Sequence, residues 1–264
     1  MKQRIITAII AAAIFVPLVI VGKLPFLLLV YAMATIGLYE LLRMKNLHKL
    51  SFVSVISYVL LWIILLPQEY TDFLTNNDYD KTQIMLIGGL LFLIFSVVSK
   101  NRFTFDDAGF LLLAIVYVGI GFYFMYVTRE AKLVYIFYAL FTIWATDSGA
   151  YFVGKAIGKR KLWPEISPNK TIEGFFGGLA FGLIVGIGFY LFTPVGDSFS
   201  LVKVLLMSLM ISVFGQLGDL VQSAYKRHYG VKDAGKLLPG HGGILDRMDS
   251  LIFILPILHL FHVL

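Results

Sequence analysis

Asp246 and Asp249 stand three residues apart at the mouth of the last apolar stretch of the chain, within KLLPGHGGILDRMDSL, Lys236 to Leu251. On a helix that spacing puts both carboxylates on one face. Asp219 lies near the end of another apolar stretch, VFGQLGDLVQSAYKR, and Asp147 near the end of a third, FTIWATDSGAYFVGK. An intramembrane carboxylate costs a few kcal/mol, so it usually faces a bundle interior and has a task; the plainer reading is an acid that packs or snorkels to water. Gln216, Asp219, Ser223 and Lys226 follow an i, i+3, i+7, i+10 pattern and share one face, and Trp144, Asp147, Ser148, Tyr151 and Lys155 form a similar stripe. The chain has no cysteine, so a metal would need oxygen or imidazole ligands. Carboxylates converging from different helices favour a hard divalent cation such as Mg²⁺.

Basic residues surround these acids. Lys226, Arg227, Lys232, Lys236 and Arg247 occupy one connection, and Lys155, Lys159, Arg160, Lys161 and Lys170 another. Attraction to anionic lipid headgroups, roughly 1 kcal/mol per residue, is the bland reading of such charge. Acids set among the basic residues argue instead for a metal-assisted polyphosphate site. Gly240, Gly242 and Gly243 would let backbone approach an anion closely. Pro168, Asn169, Lys170 and Thr171, just before a new helix, suggest a second anion-binding element. Gly174, Gly178, Gly182 and Gly186 recur every four residues and should let another helix pack closely, within the subunit or across a dimer. His259 and His262 share one side of the last span, with no acids nearby to make a metal site.

The elements that must position these groups are membrane helices. Of 264 residues, 59% are hydrophobic and 14% charged, against roughly 25% charged in ordinary soluble domains. Nine apolar segments can be drawn: Ile5 to Val21, Leu24 to Leu42, Phe52 to Leu66, Ile84 to Val98, Ala108 to Val127, Leu133 to Val153, Gly174 to Phe192, Leu201 to Val221 and Ser250 to Leu264. Each should be helical, because backbone polar groups have no partner in lipid. The first is expected to be an uncleaved span rather than a removed signal peptide. The N-terminus and the even-numbered connections carry 17 of the 22 Lys and Arg residues; the others hold only Lys23, Lys81, Arg129, Lys132 and Lys203. By the positive-inside rule this puts the N-terminus and both motif-bearing connections, Gly154 to Glu173 and Gln222 to Asp249, in the cytoplasm. The expected fold is an all-α polytopic bundle of about nine transmembrane helices. It forms one domain, 1–264, with scaffold spans in 1–132 that lack a comparable polar constellation and the motifs in 133–264.

The pattern S-x-x-K-R-x₄-K-D-x-G-x-x-L-P-x-H-G-G-x-x-D-R-x-D, from Ser223 to Asp249, resembles the signature of phosphatidate cytidylyltransferases, also called CDP-diacylglycerol synthases. DSGAYFVGKAIGK and SPNKTIEGFFGG are similar to that family as well; the first half resembles it only in hydropathy, and Tyr225 stands where an aliphatic residue or Phe is usual. The resemblance implies transfer of CMP from CTP to phosphatidic acid, giving CDP-diacylglycerol and pyrophosphate, by a homodimer in the cytoplasmic (inner) membrane. It implies Mg²⁺, with a monovalent cation such as K⁺ alongside. Membrane lipids, not nucleic acid, are the other expected partners. It carries over to Lys226, Arg227, Lys232, Asp233, His241, Asp246, Arg247 and Asp249, and through G-Q-x-G-D to Asp219. On this reading Asp219 and Asp246 hold the metal with Asp249 as a further ligand. Lys226, Arg227, Lys232 and Arg247, with Asn169 and Lys170, bind phosphates. His241 donates to a phosphate or shapes the turn, and Asp233 orients a lysine or braces the loop. A phosphate nucleophile needs no general base. A CTP-dependent lipid-alcohol kinase would need one, and a cation-coupled transporter would show matching broken spans in its two halves, which the sequence lacks.

Overall fold

The computed structural model describes residues 2–47, 51–71 and 80–263. Lys49, counted above among the basic residues, and Leu264, the end of the expected ninth span, lie outside them. Each of the nine apolar segments is helical: α1 (Lys2–Val21), α2 (Lys23–Met44), α3 (Phe52–Leu65), α4 (Lys81–Val98), α5 (Phe105–Ala131), α6 (Leu133–Ile157), α7 (Ile172–Phe192), α8 (Leu201–His228) and α9 (Leu245–Leu260). Among the described residues seven of these are long and apolar enough to cross a membrane; α3, with 14 residues, and α9, with 16, are shorter. The chain is an integral membrane protein. Helix starts follow local chemistry: Ser51 with Ser54, Asp80 with Gln83 and Thr104 with Asp107 form reciprocal capping boxes that satisfy N–H groups the helices cannot pair internally.

Two features differ from the expected plan. The last helix begins five residues before Ser250, so Asp246 and Asp249 both lie on it. The connection after α6 is not wholly irregular either. Lys161–Trp163 (β1) and Ser167–Thr171 (β2) pair antiparallel, Lys161 opposite Thr171 and Trp163 opposite Ser167.

Alternate connections meet at opposite ends of the bundle. At one end Thr7 Oγ1 donates to the Pro239 carbonyl at 3.0 Å, Lys45 pairs with Asp107 at 3.2 Å, and Arg227 Nε donates to the Ile166 carbonyl at 3.3 Å. At the other, Arg129 Nε donates to the Val19 carbonyl at 2.7 Å, the Lys23 N–H to Glu130 at 2.9 Å, and Lys132 Nζ to Ser198 Oγ at 2.8 Å. The N-terminus and both motif-bearing connections therefore share the first, basic end.

The helices carrying the site pack through small residues. A Cβ on Gly178 would lie 2.8 Å from the Thr146 carbonyl oxygen, one on Gly174 2.7 Å from that of Ala150, and one on Gly182 2.8 Å from Thr146 Oγ1 and closer still to Ser212 Oγ. The glycine stripe of α7 is thus filled by α6 and α8 of the same subunit. Behind it, Thr146 and Ser212 hydroxyls bond at 2.8 Å and Tyr138 and Ser208 at 2.6 Å, which satisfies polar groups that lipid could not. His259 bonds Thr128 at 2.8 Å and stacks on Phe124, a packing role for that histidine.

Candidate active site

Three helices and the hairpin converge on a cavity of about 490 Å³ lined by Asp147, Lys155, Asn169, Lys170, Gln216 and Asp219. A cavity of about 560 Å³ among α3, α4 and α5 is larger but has no acid in its lining, so chemistry rather than size marks the site. Helical spacing places its groups. Asp147, Tyr151 and Lys155 follow one another by one turn on α6, and Gln216 and Asp219 are neighbours on one face of α8. Trp144, assigned to the α6 stripe, is not part of the cavity lining.

The hairpin closes one side of this cavity. Thr171 caps α7, its hydroxyl accepting the Gly174 N–H at 3.1 Å, and Glu173 accepts the N–H groups of Lys159 and Arg160 at 3.0 and 3.2 Å. These bonds anchor both strands to the start of α7. Lys170, on β2, is thereby turned inward to pair with Asp219 and to reach the Gln216 carbonyl at 3.4 Å. Arg227 ties the hairpin to α8 through the bond of its Nε to the Ile166 carbonyl.

Asp219 lies within electrostatic reach of Asp147 and Asp249, and Lys226 of Asp249. Grouped carboxylates repel one another and draw cations; Lys170 supplies one positive charge. Among the described residues no three of His, Asp and Glu converge closely enough to enclose a metal. One or two carboxylates with water and phosphate oxygens suffice for Mg²⁺, so Asp219 and Asp249 remain a fitting donor set.

Asp246 stands on the first turn of α9. Its side chain is 4% exposed, Oδ1 accepts from Lys226 Nζ at 2.8 Å, and Oδ2 accepts the N–H groups of Ala234 at 2.7 Å and Gly243 at 2.9 Å. Oδ2 thus holds the loop that precedes α9, and Oδ1 ties α9 to Lys226 on α8. Leu238 to His241 form a turn closed by the His241 N–H on the Leu238 carbonyl at 2.8 Å, with Pro239 second and Gly240 third at φ 79°, the signature of a type II turn. Gly242, at φ 83°, packs where a Cβ would come 2.5 Å from Asp246 Oδ2. The glycines therefore shape the loop around a carboxylate.

His241 sits in this turn. Its carbonyl accepts from Arg247 Nε at 2.9 Å, while its Nδ1 is buried without a partner among the described residues. Lys232 and Asp233 line a separate cavity of about 400 Å³ together with Arg43, Asn46 and Lys236. Among the described residues Asp233 makes no ion pair; it packs beside Gly242. The fold thus brings together Asp147, Lys155, Asn169, Lys170, Asp219 and Asp249. It sets Lys226, Asp246, Arg247 and His241 as the frame of the adjoining loop.

One residue of the scaffold half belongs with that frame and was not anticipated. Glu40, on α2, is 2% exposed and accepts the N–H groups of Ile244 and Leu245 at 2.9 and 3.0 Å. An acid inside the apolar run GLYELL was the available signal, by the rule that selected Asp147 and Asp219.

A family model described as the cytidylyltransferase family matches residues 2–264. The chain is 53% identical over 262 residues to a phosphatidate cytidylyltransferase of Bacillus subtilis, covering 98% of this chain and 96% of that one. Phosphatidate cytidylyltransferases of Staphylococcus haemolyticus and Staphylococcus aureus are each 48% identical, over 260 and 261 residues, with 98% of both chains covered.

Proposed function

The chain belongs to the cytidylyltransferase family, and on that premise we infer that it transfers CMP from CTP to phosphatidic acid, releasing pyrophosphate and leaving CDP-diacylglycerol, the activated intermediate of phospholipid synthesis. The observation that carries this reading is the Lys170–Asp219 ion pair inside a cavity shared with Asp147, Lys155 and Asn169. A polyphosphate and a lipid phosphate are both strongly anionic, so their mutual repulsion is the main barrier to meeting. Lys155 and Lys170 bring positive charge to the same cavity, and Asn169 adds a neutral donor. Phe175 and Tyr151 supply an apolar wall beside them, suited to a lipid whose headgroup must reach a water-soluble nucleotide.

Catalysis then rests on alignment and charge. The phosphatidate oxygen is already a nucleophile, so the protein has to hold it in line with the α-phosphorus and stabilise the leaving pyrophosphate. Asp219 and Asp249 are the residues that would hold Mg²⁺, which would neutralise phosphate oxygens as charge moves onto pyrophosphate. The same all-oxygen surroundings suit a monovalent cation such as K⁺. Asp246 acts from behind, holding the loop and Lys226. The basic end faces the cytoplasm in this reading, where CTP is available, and the membrane is the cytoplasmic (inner) one. A homodimer would have to use a surface other than the α7 glycine stripe, which α6 and α8 already fill.

Purified protein incubated with CTP labelled at the α-phosphate, phosphatidic acid and Mg²⁺ is expected to place label in lipid. In a parallel incubation with γ-labelled CTP and a lipid alcohol, label in lipid would make it a kinase, and no transfer in either incubation would remove both readings. In the same assay Lys170→Ala is expected to lower kcat/KM by about tenfold to a hundredfold. That is the loss of one charge-assisted phosphate contact of about 1.5–3 kcal/mol. Unchanged kinetics would take Lys170 out of the substrate site.

A further inference from the structure

Helix α9 starts without a cap of its own. The residue before it is Ile244, whose side chain offers no acceptor and caps no N–H of the first turn. The first N–H groups of a helix need acceptors, and the helix dipole favours an anion there. Both needs are met from 204 residues away in sequence, where Glu40 Oε1 takes the Ile244 N–H at 2.9 Å; its Oε2 takes the Leu245 N–H at 3.0 Å. The surrounding loop is shaped to admit that carboxylate. A Cβ on Gly243 would lie 2.5 Å from Glu40 Oε2, and one on Gly235 2.8 Å from Glu40 Cδ. Gly37, one turn earlier on α2, faces Leu245, where a Cβ would be 3.0 Å from Leu245 Cδ2.

We propose that Glu40 is a positioning residue for CMP transfer: from the scaffold half it fixes the start of α9, and through it the placement of Asp246 and Asp249. Two carboxylates organise the loop from opposite sides. Asp246 gathers Ala234, Gly243 and Lys226, while Glu40 pins the next two N–H groups in sequence. A glutamine at position 40 has the right volume but only one acceptor oxygen; its amide NH₂ would face a second donor. α9 would then start with an unpaired N–H, free to shift or fray, and the carboxylates borne on its first turns would shift with it.

The inference rests on the CMP-transfer reading for its kinetic arm only. Full-length purified E40Q is expected to fold, to lose about tenfold or more in kcat while KM for CTP stays within about threefold, and to exchange backbone amides faster across 234–245 than wild type. Exchange in α6, α7 and α8 should stay as in wild type. If E40Q does not fold, E40D, which keeps the charge but withdraws it by one methylene, carries the same test. A result in which only kcat or only loop exchange changes overturns the proposal. So does exchange that rises evenly through the bundle, or failure of both variants to fold, since either makes Glu40 a residue of general stability. Wild-type protein with no CMP transfer, but with a loop that loosens in E40Q, would instead sink the functional reading and leave the cap in place.

Discussion

Asp219→Asn is expected to abolish CDP-diacylglycerol formation, by about 10²–10³-fold or more, while the melting temperature in detergent stays near wild type. The magnitude is that of removing one preorganised electrostatic group from a reacting centre, about 2.7–4 kcal/mol. The selectivity follows from where Asp219 sits. Its side chain is 35% exposed and its ion pair is with Lys170, itself 24% exposed; pairs of this kind contribute only about 0–1 kcal/mol to folding. Losing the charge leaves the bundle intact but deprives the cavity of the carboxylate nearest to Lys170, and of one of two groups placed to hold a divalent cation. Titrating Mg²⁺ in the assay sharpens the test, because residual activity in the variant should need more metal. Near-normal turnover at ordinary Mg²⁺ would remove Asp219 from the chemistry.

Asp246→Asn should lose activity to a similar degree, but by another route that a stability measurement exposes. Asp246 is buried and serves three donors at once. An amide in its place keeps one acceptor, turns a donor toward the Ala234 and Gly243 N–H groups or toward Lys226, and leaves that lysine without its counter-charge. Removing one partner of a buried ion pair costs about 3–5 kcal/mol. The variant should melt well below wild type, and amides of 234–245 should lose protection, with activity falling by about a hundredfold or more as the loop loosens. Full stability with activity alone abolished would return Asp246 to direct contact with metal or substrate. The pair of variants separates a carboxylate that works on the reactants from one that holds the frame.

Much of the site could be read locally. Charge is costly in lipid wherever it occurs, so Asp147 and Asp219 stood out within their apolar runs, and helical spacing put Gln216 beside Asp219 and Tyr151 beside Asp147 before any packing was known. The type II turn at Leu238 to His241 is likewise a local matter of Pro followed by Gly. The hairpin was less accessible. SPNKT contains Pro and Asn, which are poor strand formers, and it becomes a strand because Lys161–Trp163 pairs with it and Glu173 anchors the turn. Its consequence, Lys170 directed into the cavity, depends on that pairing.

Hydropathy, charge asymmetry and the motif from Ser223 to Asp249 were sufficient to determine a helical membrane protein, its basic end and the family chemistry, because each is a property of residue type and short-range spacing. The division of labour among the acids came only with the tertiary structure. Asp219 and Asp246 look alike in sequence, each an acid at the edge of an apolar run, yet one lines a cavity and the other clamps a loop. Glu40 joins that loop from the opposite end of the chain. What decides such roles is which donors reach each carboxylate once the helices pack, and that depends on long-range fit between side chains, such as glycines 235 and 243 leaving room for Glu40, which no local pattern encodes.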